Sequence, residues 1–177
     1  MIKEFMGIFK PLESPEVIFS ESGRWSLHIQ GRHDITVAEG QCIDLVIYDE
    51  QADCGTLDIK VNCRATLNVV HLVTESSPCQ ITYTLLDDAV CNVTTLMLAA
   101  TSLDVKSTLN GANGCFNLNG VFVLTDEQKG SVTVDVGHMV SNCQSHTSFK
   151  GVASGNASGK FSGLVYVAQD AQRTDAV

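Results

Sequence analysis

From Gln41 onward the chain is written as short β-branched runs that echo one another at a spacing of 23–25 residues. "IDLVIYDE", "TLDIKVNC", "ATLNVVHLV", "CQITYTLL", "CNVTTLML" and "SLDVKSTLNG" follow one another across polar turns, and "CFNLNGVFVL", "SVTVDVGHMV", "HTSFKGV" and "KFSGLVYVA" continue the pattern. Apolar and polar residues alternate within them, which is the period of a strand. One series of echoes is Asn68-Val69, Asn92-Val93 and Asn117-Leu118, spaced 24 and 25. A second joins "TLDIK" at Thr56 to "SLDVK" at Ser102, 46 residues on, with Ile81 lying 24 after Leu57 and 22 before Leu103. Two interleaved series of one period predict a β-solenoid, each turn giving one strand to each of two facing sheets. A hairpin-built sandwich is the structural rival, but it has no reason to repeat Leu-Asp-x-Lys at twice the coil period.

Pro11, Pro15 and Pro78 fall outside the runs, as strands require. No helical period is seen after the first fifteen residues. Within them Ile2, Phe5, Met6 and Phe9 sit at helical spacing, which predicts a short cap over one end of the core, with a frayed tail as the alternative. The expected organisation is a single domain over 1–177, with the cap or tail in 1–15 and coils over 16–177.

Hydrophobic residues make up 44% of the 177 but aromatics only 6%, so the core must come from Val, Leu, Ile, Ala and Cys, which suits many short strands. A net charge of −9 and a pI near 4.8 argue against a nucleic-acid or anionic-membrane surface. No apolar run reaches the roughly 18 residues of a membrane span. The N-terminus lacks the apolar run and small-residue cleavage site of a secretory signal. Cys42, Cys54, Cys63, Cys79, Cys91, Cys115 and Cys143 are odd in number and include no C-x-x-C pair, which argues against disulfides and zinc sites. Reduced cysteines packed as small hydrophobes in a cytoplasmic protein are the expectation.

The closing stretch "GVASGNASGKFSG" resembles a phosphate loop only on the surface. Gly155 and Gly159 enclose three residues rather than four, Phe161 stands where a hydroxyl would bind magnesium, and a strand follows rather than a helix. The four-residue glycine spacing is no membrane dimer face either, because Lys150, Lys160 and several Ser and Asn interrupt it. Glycines at tight corners and close backbone approaches remain.

The candidates for chemistry are few. His138 and Cys143 in "HMVSNC" can lie at one end of a coil as a ligand pair or thiol relay, against the plainer reading of a packed histidine. Cys91 and Cys115, one coil period apart, and Cys54 and Cys79, 25 apart, can stack in neighbouring rungs and offer two thiols to a soft metal. A hydrophobic cysteine ladder is the plainer reading there too. Asp49-Glu50, Asp87-Asp88 and Asp126-Glu127 read as solvated turns, since neighbouring residues face opposite ways and make no facing carboxylate pair.

The last third resembles the core of the SufB/SufD family of iron–sulfur cluster assembly proteins. The resemblance rests on Leu118-Gly120 ("LNG"), Val134-His138 ("VDVGH"), Ser145, Phe149-Val152 ("FKGV"), Gly159-Gly163 ("GKFSG") and Val167-Ala176 ("VAQDAQRTDA"). It is specific from about residue 110 onward, weaker over 20–109, and its AQ-x-TDA ending looks more like SufD than SufB. It implies a right-handed parallel β-helix, and it implies structural roles for Lys150, Gly151, Phe161, Gly163, Gln172, Thr174 and Asp175. In the family the TDA segment leads into further strands, a Cys/His-containing segment and a helical region that contacts an ABC-type ATPase, SufC, and an N-terminal helical domain precedes the core. This chain reads as a shortened member, so the family's proposed cluster-holding residues map to no residue here.

The resulting expectation is a SufD-like scaffold with no catalytic residues and no resident cofactor, a cluster being held transiently at most. A SufC-like ATPase and a SufB-like subunit are the expected partners, and self-association through an uncovered coil end is expected as well. The alternatives are a degenerate paralogue with another binding role and, further off, a small β-solenoid enzyme acting on a glycan or acyl substrate.

Overall fold

The computed structural model describes residues 8–48, 55–76 and 78–177, and all regular structure among them is β. In chain order the strands are β1 (Lys10–Pro11), β2 (Glu16–Phe19), β3 (Gly23–His28), β4 (Gly31–Val37), β5 (Cys42–Tyr48), β6 (Gly55–Val61), β7 (Thr66–Val73) and β8 (Cys79–Leu85). They continue as β9 (Val90–Met97), β10 (Ser102–Leu109), β11 (Cys115–Leu124), β12 (Lys129–His138), β13 (Gln144–Ala153), β14 (Ser158–Val167) and β15 (Asp175–Ala176). Odd strands form one eight-stranded sheet and even strands a seven-stranded one, each ordered as in the sequence. Every pairing is parallel, as in β5 with β7 and β6 with β8. The chain therefore winds as a two-sheet parallel β-helix, as the repeat predicts.

At the N-terminus, Ile2, Phe5 and Met6 of the expected cap lie outside the described residues. Phe9 precedes β1, an edge strand that carries Pro11 where a missing N–H is tolerated. β1 to β4 carry the coils back beyond Gln41. Their turns are tighter, Glu16 pairing with Asp34 and Gly23 with Ile43.

The asparagine series stacks as its spacing predicts. Asn68 pairs with Asn92 and Asn92 with Asn117, and Asp44 heads the row. The Nδ2 of each donates to the residue one coil earlier: Asn68 to Asp44 at 3.0 Å, Asn92 to Asn68 at 3.0 Å and Asn117 to Asn92 at 2.9 Å. A row of amides at strand spacing satisfies one polar group with the next, so the ladder holds register as well as strength.

The Leu-Asp-x-Lys series does not stack. Leu57 pairs with Ile81 and Ile81 with Val105, whereas Leu103 pairs with Cys79. The two motifs share an inward face but sit two residues out of step. Alternation alone is indifferent to a slip of two, because that slip keeps every side chain on its own face. Coil length also grows. It is 24 residues from Asp44 to Asn68 but 29 from Ser102 to its partner Ser131, as strands of 7 or 8 residues give way to the 10-residue β11 to β14.

At one corner six successive turns, from the one between β4 and β5 onward, each have a left-handed residue: Gly40, Arg64, Asp88, Asn113, Asn142 and Arg173, with φ between 57° and 69°. These turns stack through the backbone, the N–H of Gly40 donating to Cys63, Arg64 to Asp87, Asp88 to Ala112 and Asn142 to Gln172. Asn and Asp tolerate this conformation best among side-chain-bearing residues. Asp87-Asp88 and Asp126-Glu127 do lie in turns, while Asp49-Glu50 lies outside the described residues.

The closing glycines divide their work. Gly155, with φ of 68°, turns the other corner directly against Asp126. Gly151 and Gly159 lie inside β13 and β14, where a Cβ on either would strike the ring of Phe122. Leu57, Leu67, Ile81, Leu85 and Phe116 are fully buried between the sheets, and Tyr83 packs on Phe116 with ring centroids 5.5 Å apart.

Candidate functional site at the last coil

β12 ends on His138, whose side chain continues the inward row of Val132, Val134 and Val136 and is fully buried. A turn through the left-handed Asn142 brings the chain into β13, so Ser145 enters the same interior one strand later. The His138 Nε2 and the Ser145 Oγ are 2.9 Å apart. Burial lowers the His138 pKa from its ordinary value and favours the neutral ring, while Nδ1 has no hydrogen-bond partner among the described residues. Cys143 is also buried, but its thiol donates to the Gly111 carbonyl at 3.3 Å. Burial pushes that thiol up, and the charge of Asp87 adds to the effect.

His138 and Cys143 thus share one corner, but each is committed to a different neighbour. Among the described residues no group of three or more His, Cys, Asp or Glu is arranged to hold a metal. Ser145 was visible in the sequence as part of a motif, but nothing in the spacing marked it as the partner of His138.

The expected cysteine stack is overturned. Cys115 pairs with Val90, and Cys91 pairs with Phe116. The coil from Asn92 to Asn117 is 25 residues long, so two thiols 24 apart end one position out of step and face opposite ways. Cys91 is buried, its thiol driven up by desolvation, whereas Cys115 is half-exposed. Cys79 is buried opposite Gly55, and Cys54 lies outside the described residues. Cys79, Cys91 and Cys143 pack in the core as small hydrophobes, whereas Cys42 is exposed and Cys63 and Cys115 are half-exposed. Strand alternation decides this for Cys42 and Cys115, which take outward positions at the starts of β5 and β11, whereas Cys63 lies in the turn between β6 and β7.

The segment after β14 closes over the corner. Ala168 N donates to His138 O, Asp175 N to Cys143 O and Val177 N to Ser145 O, while Thr147 N donates back to Val177 O at 2.7 Å. Gln172 Nε2 donates to Gln169 O at 3.1 Å, and Thr174 Oγ1 to Ala171 O at 3.1 Å. Asp175 opens β15 opposite Gln144. Lys150 lies exposed on β13 beside Val121, and Gly151 gives way to Phe122. Gly163 stands opposite Val134.

Beyond this covered corner the coil lies open. β14 is the edge of its sheet, and Phe161, Val165 and Val167 continue the buried rows of Val132, Val136 and His138. They are nevertheless 43%, 47% and 45% exposed. Phe161 stacks on Phe149 with ring centroids 5.6 Å apart. Among the described residues no helix is long and apolar enough to cross a membrane.

A family model described as "SUF system FeS cluster assembly, SufBD core domain" matches residues 19–177. The chain belongs to the SufBD core-domain family. Its part is therefore in SUF iron–sulfur cluster assembly. The match begins at the last residue of β2 and runs through every later coil, so the SufBD core is the β-helix itself. Comparison with curated proteins and with solved structures returned no match.

Proposed function

We propose that this chain is a SufD-like scaffold, a non-catalytic surface on which partners of the SUF system meet while an iron–sulfur cluster is assembled. The observation that carries the reading is the match of the SufBD core to residues 19–177, the run of coils from the end of β2, and β14 is an edge strand whose inward row is half-exposed. Such an edge accepts another strand, and its apolar row accepts another core. The occupant that fits both is a second β-helix of the same family, a further copy of this chain or a SufB-like subunit. A SufC-like ATPase joins through that assembly, and the cluster is cargo, its sulfur and electron chemistry lying with the partners. The AQ-x-TDA ending supports the assignment to SufD over SufB. The six described cysteines are free thiols, which supports a cytoplasmic setting.

The test is anaerobic co-expression with a SufC-like ATPase and a SufB-like subunit. Iron and acid-labile sulfide are assayed on the captured material, and light scattering is run on the isolated chain. Capture of the SufB-like subunit, or a dimer of the chain, that Val165→Asp abolishes is the expected result. A monomer that captures neither partner and carries no iron overturns it in favour of a paralogue outside cluster assembly.

A further inference from the structure

The middle coils hold polar groups that the assembly reading does not use. β7 to β10 are four consecutive strands whose inward residues are apolar or cysteine except at one position in each. In all four it is the third inward position: His71 in β7, Tyr83 in β8, Thr95 in β9 and Ser107 in β10. His71 pairs with Thr95 in one sheet, and Tyr83 pairs with Ser107 in the other. All four are buried, with exposures of 0 to 2%. Both ring nitrogens of His71, the Tyr83 hydroxyl, the Thr95 hydroxyl and the Ser107 hydroxyl have no hydrogen-bond partner among the described residues.

The pattern is confined to two coils. In the rows that carry these residues, the preceding coil has Ile47 and Ile59, and the following coil has Gly120 and Val136. A single orphaned polar atom in a core is an accident, but five in register on adjacent rungs are not, because each destabilises the fold if left dry.

We infer that His71, Thr95, Tyr83 and Ser107 line an internal water-binding site between the sheets, sealed above and below by apolar rungs. The ligand class follows from what faces it. No carboxylate, lysine or arginine points inward from these four strands, and the only other heteroatoms there are the thiols of Cys79 and Cys91 and the Met97 thioether. Burial keeps the ring of His71 neutral and holds the Cys91 thiol protonated. A neutral surround of donors and acceptors suits neither an anion nor a cation; it suits water, which offers two donors and two acceptors and needs two to four partners.

The sign of a conservative substitution decides the matter. Thr95→Val keeps shape and removes one hydroxyl. With water bound to it, the variant loses a partner, and its melting temperature falls by about 2–4 °C, as expected for roughly 1 kcal/mol in a chain of this size. With a dry interior the same change removes an unsatisfied group, and the melting temperature rises. A high-resolution crystal structure provides the second arm. Ordered water within hydrogen-bond distance of the His71 ring and the Thr95 hydroxyl is the expected result. Direct bonds among the four side chains with no density between them overturn the proposal.

Discussion

The ring of Phe122 lies over Gly151, its register partner across β11 and β13. Two positions back the arrangement is reversed, and Phe149 of β13 lies over Gly120 of β11. β11 and β13 each supply one aromatic and one vacant position, so two large rings fit across adjacent rungs. A Cβ on Gly151 would collide with the Phe122 ring, and Gly159 presses on the same ring from β14. Gly151→Ala should therefore destabilise the chain by about 1–3 kcal/mol, the usual range for overpacking. Phe122→Leu in the same molecule should recover part of that loss, since the pair shares one space. Urea unfolding of the two single variants and the double variant measures the coupling, and simple additivity would contradict it.

The amide ladder gives a second expectation. Asn92 donates to Asn68 and accepts from Asn117, so Asn92→Leu breaks two bonds while leaving an outward position apolar. A loss of about 1–2 kcal/mol is expected, because the orphaned Asn117 and Asn68 are only partly solvated. Asn68→Leu should cost a similar amount, and the double variant less than the sum. Thermal melts of the three variants check this.

Acid should weaken the fold through His71. Burial lowers its pKa from 6.5 to about 4 in the folded chain. The unfolded chain therefore binds the extra proton first, so stability is full above about pH 6.5 and is lost as pH falls towards 4. The loss reaches about 3 kcal/mol at the lower end if His71 acts alone. His138, also lowered by burial, pulls in the same direction. His71→Ile, which places in that row the residue found at Ile47, should flatten the slope between pH 4 and 6.5. An unchanged slope in the variant would show that other groups set the acid limit.

The thiols should separate by burial. Cys42 is exposed and should react with an alkylating reagent in the native protein, with Cys63 and Cys115 following more slowly. Cys79, Cys91 and Cys143 are buried, and the thiols of Cys91 and Cys143 are held protonated, so these should react only on unfolding. Peptide mapping after timed alkylation tests the order, and early labelling of Cys91 would contradict the burial described here.

Much of this fold is written locally. Alternating β-branched runs at one spacing mean two sheets wound in coils, because each run has a single apolar face that only a neighbour can bury. The asparagine row was legible for the same reason, since an amide repeated every coil on an outward position has its own kind as its nearest polar partner. The coils before Gln41 were harder to see, because β2 and β3 are short and their turns depart from the common period. At the site, His138 and Cys143 were identifiable as residues of one corner, but their partners Ser145 and Gly111 were not. Those contacts are made by side chains from different rungs, which no spacing rule ranks.

The sequence by itself determined the all-β class, the two-sheet coil, the stacked amide ladder and the family. Only the tertiary structure decided which residue stands on which. Leu103 stacks on Cys79, Cys115 faces away from Cys91, and four unpartnered polar residues fall at one inward position of consecutive strands. The physical reason is that alternation sets the face a side chain takes, whereas turn length sets the register. One residue added at a corner moves a thiol from the core to the surface, and a slip of two changes every partner without changing any face.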